Sequence, residues 1–74
     1  MALTEAQFQY LMNSDAEFAA RVAVYGRPKN VAGCGDVEAN PGDICMEGPC
    51  INGKKSIMLC DEGNGCTIHR EVPC

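Results

Sequence analysis

The chain has 74 residues, a formal net charge of −4, six cysteines and no tryptophan. A chain this short buries too little surface to balance the entropy of ordering it, so disulfides, a metal or a partner must help it fold. No apolar run is long enough to cross a bilayer, and the acidic charge disfavours lysis of anionic membranes as a mode of action.

The first third of the chain predicts helix. Thr4-Glu5-Ala6-Gln7 has the form of a capping box, in which Thr4 caps a helix and Gln7 bonds back to it. Ser14-Asp15-Ala16-Glu17 has the same form, so we expect two short helices that meet at Asn13-Ser14, the second ending at Gly26. The apolar side chains at helical spacing are Phe8, Leu11, Met12, Phe18, Ala19, Val22 and Tyr25.

A linker separates this helical part from a second part of the chain. Arg27-Pro28-Lys29-Asn30 ends the helical pattern, and Val31-Ala32-Gly33 follows it. The charge also changes here, because residues 1–33 hold three acidic and three basic side chains, whereas residues 34–74 hold seven and three. We therefore expect a helical, leader-like segment at 1–33 and a disulfide-rich module at 34–74.

The helical segment contains Leu3-Thr4-Glu5-Ala6-Gln7-Phe8, then Ser14 to Val22, and the small pair Ala32-Gly33 before Cys34. This pattern resembles the leaders of bacterial peptide precursors of the Nif11 and nitrile-hydratase-like type. The resemblance implies cleavage between Gly33 and Cys34 by a peptidase-containing ABC transporter, and export without a classical signal peptide. It also implies that a processing or modification enzyme reads the leader through Phe8, Leu11, Met12, Phe18 and Val22.

All six cysteines lie in the second part of the chain, at Cys34, Cys45, Cys50, Cys60, Cys66 and Cys74. Their number allows complete pairing, and no Cys-x₂-Cys pair typical of zinc sites occurs, so we expect three disulfides, no metal and no cofactor. The sequence does not rank the possible pairings. Disulfides persist in oxidising compartments, which predicts a secreted module. The alternative is a zinc site that includes Cys66 and His69.

Turn motifs divide the module into strands. Asn52-Gly53 predicts a type I′ turn joining a strand at 49–51 to one at 54–60, and a loop at 61–65 returns the chain as a strand at 66–71. The predicted fold is a small disulfide-rich α+β protein, in which a helix or helical hairpin precedes an antiparallel sheet of about three short strands. We interpret the loop at 61–65 as an acidic turn, the alternative being a weak calcium site.

The sequence contains no catalytic triad, phosphate-binding loop or cofactor motif, so we expect no enzyme. The leading hypothesis is the precursor of a secreted bacteriocin-like or defensin-like antimicrobial peptide. Its mature part would bind a protein target, with neither nucleic acid nor the bilayer as its partner. One alternative is a protease inhibitor whose inhibitory loop is Lys54, Lys55 and Ser56. The other is a single interaction domain in which the helices stay in the fold, and Phe8, Leu11, Phe18, Val22 and Tyr25 supply its core.

Overall fold

The computed structural model describes residues 3–29 and 33–74. Two helices precede three strands, and the strands form one antiparallel sheet with the second strand in the centre. The predicted fold class is therefore confirmed. No helix in the described part of the chain is long and apolar enough to span a membrane. In chain order the elements are α1 (Glu5–Ser14), α2 (Ala16–Tyr25), β1 (Ile44–Glu47), β2 (Lys54–Cys60) and β3 (Cys66–Pro73).

The first helix begins at the capping box that the sequence predicts. The Thr4 hydroxyl accepts a hydrogen bond from the Gln7 amide at 3.2 Å, and the Thr4 amide donates to Gln7 Oε1 at 3.1 Å. Two of the amide groups at the start of the helix, which have no partner within it, are satisfied in this way. The second helix ends at Gly26, whose φ of 87° suits glycine, again as predicted.

The junction of the two helices lies one residue later than the sequence suggested. Asp15, with an extended backbone at φ −128°, ends α1 and caps α2, because its Oδ1 accepts from the Phe18 amide at 3.0 Å. The predicted break is confirmed, but Ser14 as its cap is wrong. Ser14 still lies in α1, and its hydroxyl donates to the carbonyl oxygen of Tyr10 one turn back.

The hairpin turn is confirmed, whereas the strand predicted before it is wrong. Asn52 and Gly53 have φ values of 55° and 78°, as a type I′ turn requires. Residues 49–51 contribute only an isolated bridge from Ile51 to Lys54, and the neighbouring strand of β2 is instead β1. Pro49 explains the interruption because it has no amide hydrogen to give to a sheet ladder.

The helices and the sheet share one hydrophobic core. The Phe8 and Phe18 rings pack edge to face, with centroids 6.0 Å apart and planes at 72°. Val22 packs at the margin of this core, whereas Tyr25, which the single-domain alternative places inside, is 44% exposed. The buried core side chains are Phe8, Leu11 and Phe18 from the helices and Ile44, Ile57, Leu59 and Val72 from the sheet.

Polar contacts also attach the helices to the sheet. Buried Gln7 donates from Nε2 to the carbonyl oxygen of Pro73 at 2.7 Å, and the Asp15 carboxylate pairs with the Arg70 guanidinium on β3. The Lys29 amide donates to buried Asp43 Oδ1 at 2.8 Å. These three contacts join positions that are far apart in the sequence, so they fix how the helical hairpin sits on the sheet.

Replacing Asp15 should show how much the attachment of the helices to the sheet contributes to the stability of the protein. Asp15→Ala removes both the cap of α2 and the partner of Arg70, and we expect the free energy of unfolding to fall by about 1–3 kcal/mol in urea denaturation. Asp15→Asn keeps a side-chain oxygen for the cap and loses only the charge, so its cost should be smaller. Equal costs for the two variants would contradict a capping role for Asp15.

Candidate functional site

Three disulfides hold the described sheet and the loops around it, as predicted. They join Cys34 to Cys60, Cys45 to Cys66 and Cys50 to Cys74, and no cysteine is free. The pairing therefore links the first cysteine to the fourth, the second to the fifth and the third to the sixth. Cys45–Cys66 connects β1 to β3, the two edge strands, across β2.

Two of the three disulfides lie close together. Cys34 and Cys60 are buried, and Cys60 sits opposite Cys66 in the register of β2 and β3. The sulfur atoms of Cys34, Cys45 and Cys60 all lie within 4.8 Å of one another. A disulfide sulfur is not the thiolate that zinc requires. Cys66, one ligand of the zinc alternative, is likewise bonded to Cys45.

The third disulfide lies beside the hairpin turn. Cys50 and Cys74 are both exposed, and the Cys74 amide donates to the carbonyl oxygen of Gly53 at 3.0 Å. This disulfide ties the residue after β3 to the segment just before the hairpin turn. Fraying of β3 is restricted at this end as a result.

The predicted cleavage site lies beside a buried disulfide. The Gly33 carbonyl oxygen accepts from the Asp36 amide at 3.4 Å, and Cys34 is 7% exposed and bonded to Cys60. Ala32, the other half of the small pair, falls outside the described residues. Cleavage between Gly33 and Cys34 stays a prediction, and a peptidase would reach this bond most readily before the disulfide forms.

The predicted leader-recognition side chains lie mainly inside the molecule. Phe8, Leu11 and Phe18 are buried in the core, and Met12 and Val22 are half-buried against it. An enzyme that reads these side chains must therefore do so before the chain folds. Their role in recognition stays a prediction.

The predicted inhibitory residues do not form a loop. Lys54, Lys55 and Ser56 are the first three residues of β2, the central strand. The Lys55 ammonium pairs with Glu47, and Lys54 Nζ lies 3.7 Å from a carboxylate oxygen of Glu71. The three residues therefore lie at the start of a strand, and their inhibitory role stays a prediction.

In the acidic turn at 61–65, the carboxylate of the first residue, Asp61, accepts the hydrogen bonds that hold the turn in its conformation. Asp61 Oδ1 accepts from the amides of Gly63 and Gly65, each at 2.8 Å, and Oδ2 accepts from the Thr67 hydroxyl at 2.6 Å. The Thr67 hydroxyl above all, with the Gly65 amide, holds the pKa of Asp61 below its usual value. This contribution to loop stability is thus present at neutral pH and is lost as the pH falls below about 4.

Substitution of Gly65 should disrupt this turn. A Cβ at Gly65 would lie 2.7 Å from Asp61 Oδ2, whereas a Cβ at Gly63 would meet Asp61 Oδ1 at 3.4 Å, an ordinary contact. We therefore expect Gly65→Ala to lower the free energy of unfolding by about 1–3 kcal/mol in urea denaturation. Gly63→Ala is the matched control and should change it far less. A larger cost at Gly63 than at Gly65 would contradict this description of the turn.

The outer face of the sheet, opposite the helices, carries a feature that the sequence did not reveal. Met46 of β1, Met58 of β2 and His69 of β3 are register partners and form one row across the three strands. We call these three residues the Met-Met-His row. It lines an open groove of about 240 Å³, in which Met46 is 59% exposed. The row depends on an irregularity in the β1–β2 register between Ile44 and Met46, which sequence periodicity cannot locate.

No family model matches this chain, and neither curated proteins nor solved structures include a significant match to it. Function must therefore be argued from the chain's own geometry and chemistry. The geometry is that of a small disulfide-rich protein with one shared core. Such heavy use of disulfides in a small domain is typical of extracellular proteins.

Proposed function

We propose that the protein is a secreted, disulfide-stabilised binding protein in which the helices remain part of the folded unit. It acts by binding a protein partner and performs no catalysis. The single observation that carries this proposal is the shared core, since three of the seven buried side chains that the described residues contribute to it come from the helices. A segment that serves only as an export leader has no need to contribute side chains to the core of the folded protein.

The inner face of the sheet supports this proposal because its apolar side chains are shielded from water by the helices. Ile44, Ile57, Leu59 and Val72 are each at most 3% exposed beneath the helices. Without residues 3–29 these four side chains would face water, at a cost of about 1.5–3 kcal/mol for each fully exposed side chain. A free module at 34–74 would carry an apolar face that small soluble proteins rarely expose.

The disulfides and the charge support an extracellular binding role. Three disulfides in so short a chain are stable in an oxidising compartment and hold the surface in one conformation, which lowers the entropy cost of binding. Asp36, Glu38 and Glu62 are exposed, and the net charge is −4. This charge complements a partner protein with a basic surface better than an anionic bilayer.

A second candidate is the precursor of a secreted peptide, processed between Gly33 and Cys34. The observation that favours it is the position of this bond, which follows the helical segment and directly precedes the first cysteine. The resemblance of residues 3–22 to bacterial leaders supports it further. In this candidate the helices cover the inner face of the sheet only until a peptidase removes them.

The mass of the secreted material distinguishes the two candidates. Medium from cells that produce the chain is reduced, alkylated and digested with trypsin, and the peptides 22–29 and 56–70 are quantified against labelled standards. The proposal predicts equal molar amounts, because the helices leave the cell with the sheet. Recovery of peptide 56–70 without 22–29, with a new N-terminus at Cys34, would contradict it and establish the precursor. The purified intact chain, digested in parallel, is the control for peptide recovery.

A further inference from the structure

The Met-Met-His row places three potential metal ligands side by side. Met46 lies opposite Met58, and Met58 lies opposite His69, so one ligand comes from each strand of the sheet. Side chains on directly opposed strand residues have Cβ atoms about 4.5–5.5 Å apart. The three side chains therefore start from adjacent positions on the same face.

The chemistry of these ligands is selective. A thioether sulfur is a soft, uncharged ligand that binds monovalent copper well and hard cations such as magnesium or calcium poorly. A neutral imidazole nitrogen is compatible with the same ion and completes a three-ligand set. Two thioethers and one imidazole thus select a soft monovalent cation, and carry no charge that would attract a divalent one.

The spacing suits one ion. Three ligand atoms placed about 2.3 Å from a central ion in a trigonal arrangement lie about 4 Å from one another. Flexible methionine side chains on neighbouring strands can bring their sulfur atoms to this separation. The groove of about 240 Å³ above the row leaves room for the ion between them.

The surroundings hold the row in place without competing for the ion. The Cys45–Cys66 disulfide joins the two strands that carry Met46 and His69, and so fixes the flanks of the row. Glu47, the acidic side chain that lines the groove, is paired with Lys55. Two methionines on an exposed strand face are also unexpected from packing alone, because β-branched and aromatic residues suit that position better.

We propose that Met46, Met58 and His69 form a binding site for a soft monovalent cation, with Cu(I) as the physiological ion. This proposal is independent of the binding function proposed above, since it needs neither the exposed acidic side chains nor the fate of the helices. Because every described cysteine is in a disulfide, the thioethers are the softest ligands that this part of the chain presents.

Silver provides the test, because Ag(I) has the same ligand preference and does not change oxidation state. The oxidised full-length chain is titrated with Ag(I) while the methionine methyl and histidine ring signals are followed by NMR. We expect one ion per chain, with the signals of Met46, Met58 and His69 shifting together and that of Met12 unchanged. Intact mass measured before and after the titration confirms that the disulfides are still formed.

Variants separate ligation from packing. Met58→Leu and Met46→Leu keep the size and apolar character of the side chain, and each should weaken Ag(I) and Cu(I) binding by at least about tenfold, as should His69→Gln. Met12→Leu, on α1, is the matched control and should bind as the unmodified chain does. Unchanged affinity in the three row variants, or equal shifts at Met12 and Met46, would overturn the site. Binding of Cu(I) only at millimolar concentration would overturn it as well.

Discussion

Replacement of Phe18 by alanine is expected to lower the free energy of unfolding by about 3–5 kcal/mol, the cost of deleting a fully buried aromatic ring. Phe18 is 1% exposed, packs against Phe8, and belongs to the core shared by the helices and the sheet. The loss should therefore appear in the sheet as well as in α2. Urea denaturation of the oxidised chain gives the total, and amide hydrogen exchange at Ile57 and Leu59 reports the sheet.

A matched variant on the same helix provides the control. Val24 also lies on α2 but is 74% exposed, so Val24→Ala should change the free energy of unfolding by less than about 0.5 kcal/mol. If Phe18→Ala melts the helix and leaves amide protection at Ile57 and Leu59 unchanged, the shared core does not stabilise the sheet. The proposed function would then lose its main support.

Removal of the buried disulfide is expected to have an effect of similar size. Paired substitution of Cys34 and Cys60 by alanine should cost about 2–5 kcal/mol, because it frees the unfolded chain and opens a cavity beside the core. Both residues must be replaced together, since a single substitution leaves a reactive thiol. Thermal or urea unfolding, with intact mass to verify the remaining two disulfides, measures the loss.

The exposed disulfide is the natural comparison. Cys50–Cys74 spans 24 residues and Cys34–Cys60 spans 26, so the loop-entropy contributions to stability are nearly equal. Cys50 and Cys74 are exposed, whereas Cys34 and Cys60 are buried. Replacement of Cys50 and Cys74 by alanine should therefore lower the free energy of unfolding by less than replacement of the buried pair does. The difference between the two losses measures the contribution of packing around Cys34–Cys60. A greater cost for the exposed pair would contradict the placement of Cys34–Cys60 in the interior.

The features predicted correctly from the sequence are those that depend on neighbouring residues. Thr4 and Gln7 form their capping box within one turn of helix, and Asn52-Gly53 determines its turn through its own backbone preferences. Gly26 ends α2 for the same local reason. The number of disulfides was also predicted from the sequence, because six cysteines in a chain too small for a large core must be paired or bound to metal.

The features that were missed depend on contacts between distant residues. Asp15 caps α2 within one turn of helix, but its ion pair with Arg70 on β3 could not be predicted from neighbouring residues. The position of β1 and its irregular register with β2 are decided by strand pairing and by Cys45–Cys66. The ion pairs of Lys54 with Glu71 and of Lys55 with Glu47 also join residues that are separated in the sequence, and they were not predicted.

The most direct test of the central claim is whether the helices and the sheet unfold together. In a thermal NMR experiment on the oxidised chain, the methyl groups of Ala19 and Ala20 report α2, and those of Ile57 and Ile68 report the sheet. A single cooperative unit predicts coincident transitions at all four positions, with one midpoint temperature. Loss of the alanine signals at a lower temperature, while the isoleucine signals keep their folded positions, would contradict it and make the helices a separate segment.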